Sequence, residues 1–228
     1  MTVLFDLDGT LCSDDQDPAT MLGAAFDRAG VAPFCTAETL VDTWTEVGSV
    51  ADDVAFYREQ FRLVAERAGS DAPDPRSPTI DDLAHAYDDE RDHTAVSFVP
   101  GAEAALNAAL ASDRRVGLVT NGGRDTQTTK LEALGVRECF DVCVFSTGDV
   151  PAKPQPEPFE RALDALGADP SESVMVGDRL GADVAGAERL GVGTVWYRRD
   201  GGVPGPTDPT PDRVVDSMAE VASLLRDG

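Results

Sequence analysis

Lysine and histidine are scarce in this chain, and it has no long apolar run and no basic leader; each absence excludes something. The only lysines are Lys130 and Lys153, and the only histidines are His85 and His93. Arginine carries the remaining positive charge, yet 19 basic residues face 42 acidic ones, for a net charge of -23. So negative a surface repels polyanions, so neither nucleic acid nor an anionic membrane is an expected partner. No stretch reaches the roughly 18 apolar residues of a membrane span. Met1-Thr2-Val3-Leu4 enters a strand at once, without the basic start of a signal peptide. The expectation is a cytoplasmic protein. Cys12, Cys35, Cys139 and Cys143 form no CxxC pair and have no histidine nearby, which argues against zinc and for reduced packing residues.

What is present is enough to fold. Hydrophobic residues make up 42% of the 228, so the acid excess does not read as disorder. It reads instead as adaptation to a salt-rich cytoplasm, where self-repulsion is screened. A strand at Val3–Asp6 breaks into a turn at Asp8-Gly9-Thr10. From about Pro18 to His93 only helices are predicted: Met21–Arg28, Ala37–Val47, Asp52–Ala68 and one beginning at Thr79. In the third, Val54, Tyr57, Phe61, Val64 and Ala68 recur at three- and four-residue spacing, giving one apolar face. Trp44 and Tyr57 read as core of this stretch.

After Pro100-Gly101 short apolar runs alternate with helical ones. Strands are predicted at Arg115–Val119, Val142–Phe145, Ser173–Val176 and Thr194–Tyr197, with helices between them, Ala182–Leu190 before the fourth strand, and a last helix at Ser217–Leu225. Gly201–Pro211 reads as a surface loop. Continuous apolar strands alternating with helices imply a parallel α/β sheet covered on both faces. Residues 1–14 and 97–228 therefore form an α/β core, and residues 15–96 an all-helical insert.

Ligands of an open parallel sheet gather beyond the carboxyl ends of its strands. Those ends carry Asp6-Leu7-Asp8-Gly9-Thr10, Thr120-Asn121-Gly122, Lys153-Pro154 on the loop after the third, and Gly177-Asp178 with Asp183 beyond. Asp6 and Asp8, two residues apart, leave the backbone on one side. With Asp178 they form a set of hard oxygen donors that repel one another without a cation and suit magnesium (Mg2+). Five residues of ideal helix turn the chain well away from its starting direction, so Asp178 and Asp183 cannot share a helical face. Asp178 then belongs to the preceding turn, and Asp183 orients waters or Lys153 from behind the metal. Arg124 and Arg179, beside these motifs, are candidates to touch substrate.

Val3-Leu4-Phe5-Asp6-Leu7-Asp8-Gly9-Thr10-Leu11 resembles the first motif of the haloacid dehalogenase superfamily. Val119-Thr120-Asn121, Lys153-Pro154 and Gly177-Asp178 with Asp183 are similar to its second, third and fourth. The resemblance runs in order from residue 1 to about 197. It implies a Rossmann-like core, with the insert as a small helical cap. It also implies a magnesium-dependent phosphatase acting on a small phosphorylated metabolite. Asp6 would be the nucleophile that becomes an aspartyl phosphate, and Asp8 the acid and base. Thr120, Asn121 and Gly122 would hold phosphoryl oxygens with Lys153, and Asp6, Asp178 and the Asp8 carbonyl would hold the metal. The second acid, Asp8, separates the chain from the dehalogenases. A sugar-phosphate mutase and a non-catalytic phosphate-binding protein are the alternatives.

The charge excess makes a prediction of its own. At a net charge of -23, dilution from molar to millimolar salt lengthens the screening distance and should lower the thermal midpoint. A midpoint unchanged on dilution would defeat the high-salt reading.

Overall fold

Thr2–Phe5 form strand β1, and all four residues are buried, as a central strand covered on both faces requires. The computed structural model describes all residues except 45, 49, 112–113, 200, 202–204, 206–208 and 228. In chain order β1 is followed by β2 (Cys12–Asp14) and helices α1 (Pro18–Ala29), α2 (Ala37–Val41), α3 (Asp53–Ala68) and α4 (Pro78–Asp89). Then come β3 (Val96–Phe98), α5 (Ala102–Leu110), β4 (Arg115–Asn121), α6 (Arg124–Ala133) and β5 (Val142–Ser146). The chain closes with α7 (Glu157–Leu166), β6 (Ser173–Gly177), α8 (Ala185–Glu188), β7 (Gly193–Tyr197), β8 (Arg213–Val215) and α9 (Met218–Asp227).

Two compact units result: residues 1–13 with 96–228, and residues 14–95. The first is built on a six-stranded sheet in the order β5-β4-β1-β6-β7-β8, with every neighbouring pair parallel. This is the expected Rossmann-like sheet flanked by helices. Successive side chains of a strand point to opposite faces, and the two cores follow that alternation. Val3 and Phe5 of β1, Val116 and Leu118 of β4 and Val176 of β6 join one cluster with residues of α5 and α9. Leu4, Val119 and Met175 join the other, with Phe159, Leu163 and Leu166 of α7. Because β4 and β6 flank β1, the three carboxyl ends open at one edge.

The helical unit has its own core, in which Phe26, Phe61, Tyr57 and Tyr87 meet edge to face at centroid distances of 5.0 to 6.4 Å. The predicted face of α3 is the buried one at Tyr57, Phe61 and Val64. Asp17 and Asp52 cap α1 and α3, each accepting a bond from a backbone N–H of the first turn.

Three expectations need correction. The helix predicted over Ala37–Val47 ends at Val41, because the Thr43 hydroxyl donates to the Leu40 carbonyl at 2.7 Å and competes with the helix for it. The helix predicted over Ala182–Leu190 is a π-helical turn, Leu180–Val184, running into the short α8. β8, three residues long, gives too short a pattern to read and was not expected. The loop expected over Gly201–Pro211 lies largely outside the described residues.

Phe159 links the core to the site. It is fully buried, and its ring packs where Gly186 has no side chain, six residues after Lys153. Phe159→Ala should cost about 3–5 kcal/mol in urea unfolding. A loss below about 1 kcal/mol would mean that the cavity collapses freely.

Candidate active site

The first strand ends at Phe5, so Asp6 leaves the sheet while its N–H is still bonded to the Val176 carbonyl of β6 at 3.0 Å. Its buried carboxylate meets Lys153. The Lys153 ammonium, 2% exposed, donates to Asp6 Oδ1 at 2.6 Å, to Asp183 Oδ1 at 2.7 Å and to the Val119 carbonyl at 2.7 Å. All three of its protons are thus used, on three different segments. Asn121 holds the loop that delivers it: its side-chain amide donates to the Lys153 carbonyl at 3.2 Å and accepts from the Lys153 N–H at 2.9 Å. The bonds of that amide go to the lysine loop, which leaves the turn of Asn121 and Gly122 as the part that can face phosphate.

Asp183 sits in the π-helical turn, as the spacing argument requires, with Asp178 in the turn before it. Asp183 Oδ2 accepts from the Arg179 N–H at 3.0 Å, so both its oxygens are engaged. Gly177 makes this possible, since a Cβ there would overlap the Asp183 carboxylate. Asp178 is held more loosely, with Thr10 Oγ1 at 3.4 Å and Arg199 at 3.7 Å. Its approach depends on Gly9, at φ +84, where a Cβ would overlap an Asp178 oxygen.

Asp6, Asp178 and Asp183 each offer an oxygen within 4.8 Å of the others, a hard-donor cluster that fits a small divalent cation. Asp183 is the most firmly bonded of the three, to Lys153 and the Arg179 N–H. Electrostatics agree with the fit. Burial, with the Asp183 and Asp178 charges, pushes Asp6 up to about 7 against the pull of Lys153. Burial, then Asp183, pushes Asp178 up to about 6. Burial pulls the Lys153 ammonium down, but Asp183 and Asp6 outweigh it and keep it charged. One buried cation is shared among carboxylates that outnumber it.

Thr120 Oγ1 is buried and has no hydrogen-bond partner among the described residues, a costly state for a hydroxyl unless an acceptor arrives. Asp8 lies outside the Asp6 cluster: Lys130 Nζ donates to its Oδ1 at 2.7 Å and Gln127 Nε2 to its Oδ2 at 2.7 Å. Gly122, at φ +142, leaves the space that the Gln127 amide occupies. Thr10, Gln127, Lys130 and Arg199 were not foreseen as site residues. Arg124 stacks over the Phe145 ring at 4.9 Å.

The family model of the haloacid dehalogenase-like hydrolases matches residues 1–191. This chain belongs to that family. Over 123 residues the hydrolase is 38% identical to N-acylneuraminate-9-phosphatase of Rattus norvegicus, covering 54% of this chain and 50% of the other. The matched segment thus spans about half the length of that relative. It is 30% identical to glyceraldehyde 3-phosphate phosphatase of Methanopyrus kandleri over 231 residues, 99% of this chain and 97% of that one. Solved structures share the fold. A predicted phosphoglycolate phosphatase from Haemophilus somnus superposes with a TM-score of 0.75 at 22% identity, covering 98% and 96% of the two chains. CbbY from Rhodobacter sphaeroides, in complex with phosphate, gives 0.70 at 21%, covering 96% and 95%.

The raised carboxylates tie the hydrolase's stability to pH. Asp6 titrates near 3.8 when unfolded and near 7 when folded, so between those values the folded metal-free chain binds more protons. Stability from this group is therefore present at low pH and lost as pH rises through about 7. The metal-free midpoint should fall from pH 5 to pH 8, and a bound divalent cation should raise it more at pH 8. In Asp6→Asn both effects should shrink. A midpoint that rises with pH in the native chain would contradict the assignment.

Proposed function

We propose that this hydrolase is a magnesium-dependent phosphatase that cleaves a small phosphomonoester through an aspartyl phosphate on Asp6. The observation that carries the reading is the buried Asp6 carboxylate, oriented by Lys153, in a site whose buried Thr120 hydroxyl lacks a partner among the described residues. An oriented carboxylate is a competent nucleophile, and an unpaired hydroxyl with a nearby ammonium suits an incoming phosphoryl oxygen. Relatives named as phosphatases of an acylneuraminate 9-phosphate, of phosphoserine and of glyceraldehyde 3-phosphate support a small phosphorylated metabolite as substrate.

In the first step an Asp6 oxygen attacks phosphorus, and the bond from phosphorus to the ester oxygen breaks. Asp8 gives its proton to that leaving oxygen. In the second step Asp8 takes a proton from water, whose oxygen attacks phosphorus, releasing phosphate and restoring Asp6. Thr120 and the Asn121-Gly122 turn hold the phosphoryl oxygens, with the Asn121 side chain acting through the Lys153 loop, and Lys153 stabilises their charge as a nearby point positive charge. Magnesium, held by Asp6, Asp178 and the Asp8 carbonyl, would offset the charge of the dianion. Asp183 keeps Lys153 aimed at Asp6. The helical unit, residues 14–95, would serve as the cap that selects the rest of the substrate.

Asp6→Asn should abolish phosphoenzyme formation, since an amide is not a competent nucleophile. Asp8→Asn keeps Asp6 but removes the base for the second step, which should slow by roughly a hundredfold or more. With p-nitrophenyl phosphate, whose leaving group needs no proton, aspartyl phosphate should accumulate in Asp8→Asn. Rapid quench and intact-mass analysis reads the adduct directly, and an adduct on Asp6→Asn would remove Asp6 from its role.

A further inference from the structure

Asp8 is held at both oxygens by one helix. Lys130 and Gln127 stand three residues apart on α6, so their side chains share a face. Lys130 Nζ lies 2.7 Å from Asp8 Oδ1, and Gln127 Nε2 lies 2.7 Å from Asp8 Oδ2. The same Gln127 nitrogen donates to the Asn121 carbonyl at 3.2 Å. Both of its neighbours are acceptors, which fixes the orientation of the amide. Gly122, without a side chain, leaves room for it.

The burial of these groups is unequal. The Lys130 side chain is 4% exposed and the Asp8 side chain 29%. A lysine ordinarily keeps its ammonium in water, and removing it costs several kcal/mol unless a partner compensates. Placing one of only two lysines there, on a carboxylate that is itself partly solvated, is an expensive way to stabilise a fold. It is a direct way to fix a carboxylate. The Cys12 thiol, 3.9 Å from Asp8 Oδ1, adds a weaker contact from the chain's own turn.

We infer that Lys130 and Gln127 are positioning residues, a two-point clamp that holds Asp8 where it serves the leaving oxygen and the attacking water. The inference rests on the reading of Asp8 as acid and base. Without the clamp the side chain samples other rotamers, and a displacement of about 1 Å can cost on the order of a hundredfold in rate. The loss falls on substrates whose leaving oxygen needs a proton, whereas a purely structural loss falls on all substrates alike.

The test is a double-mutant cycle with an aryl phosphate series from p-nitrophenyl to phenyl phosphate, read as kcat/KM, which reports the step that releases the aryl group. Lys130→Met should lower kcat/KM for phenyl phosphate about tenfold or more, and for p-nitrophenyl phosphate by at most about threefold. Gln127→Leu should give the same selectivity in weaker form, and it tests the clamp if Lys130→Met folds poorly. In the Asp8→Asn background, Lys130→Met should add no further loss. Equal losses on both esters, or a loss that persists in full without Asp8, would overturn the clamp. Should Asp8→Asn leave the phenyl ester unaffected, the acid/base reading falls and the inference with it.

A second readout needs no activity and no metal. Because the chain has two lysines, a sample labelled at lysine Nζ shows two side-chain signals. Both should be protected from exchange in the native protein, and Asp8→Ala should expose one of them. Protection of both signals in Asp8→Ala would show that Lys130 is not held by Asp8, which also overturns the clamp.

Discussion

Everything at this site depends on one buried ammonium. Lys153 reaches its place from the loop between β5 and α7, and bonds to the end of β1, to the end of β4 and to the turn after β6. Removing any single acceptor would leave a buried charge only partly compensated, which in protein interiors costs several kcal/mol. The three bonds therefore lock the carboxyl ends of three neighbouring strands to one another. The same bonds orient the Asp6 carboxylate, so the lock between the strand ends and the proposed nucleophile are one feature.

That lock explains the surrounding sequence. Asp183 can reach Lys153 only because Gly177 ends β6 without a side chain, and because the π-helical turn turns the carboxylate inward. Asn121 spends its amide on the Lys153 backbone instead of on solvent. Phe159 anchors α7 just beyond the lysine, against Gly186. Each of these residues serves geometry, and none needs to touch the reacting group. The cost of the arrangement is electrostatic: more carboxylate than one cation can balance, seen in the raised Asp6 and Asp178. A divalent ion would remove that cost.

The fold was readable because its signals are long or repeated. Apolar runs at Val3–Phe5, Val116–Val119 and Val174–Val176 mark buried parallel strands, and the chemistry follows at their ends. Asp6, Asp178, Asp183 and Lys153 could be gathered at one edge by topology alone. What escaped was set by tertiary contact. The pairing of the Asn121 amide with the Lys153 backbone is a contact that no local pattern encodes. β8 is three residues long, and the end of α2 was decided by a threonine hydroxyl. Gln127 and Lys130 read as two polar residues on a polar helix, because their partner lies more than a hundred residues away.

Composition did contain a signal for Lys130. Arginine carries 17 of the chain's 19 basic residues, and several of those pair with acids at the surface, as Arg198 does with Asp216 and Arg161 with Glu157. Exposed pairs of this kind contribute little and tolerate a broad planar guanidinium. A niche lined by Asp6, Asp183 and the Val119 carbonyl is different. It offers three acceptors around a point, which a compact ammonium matches and a flat fork does not. The Asp8 niche asks for a single short donor, with the second oxygen left to Gln127. In this lysine-poor chain both lysines sit on the two carboxylates of the first strand's turn. Scarcity of a residue type therefore locates a site as well as a motif does, once each survivor is asked what its replacement could not do.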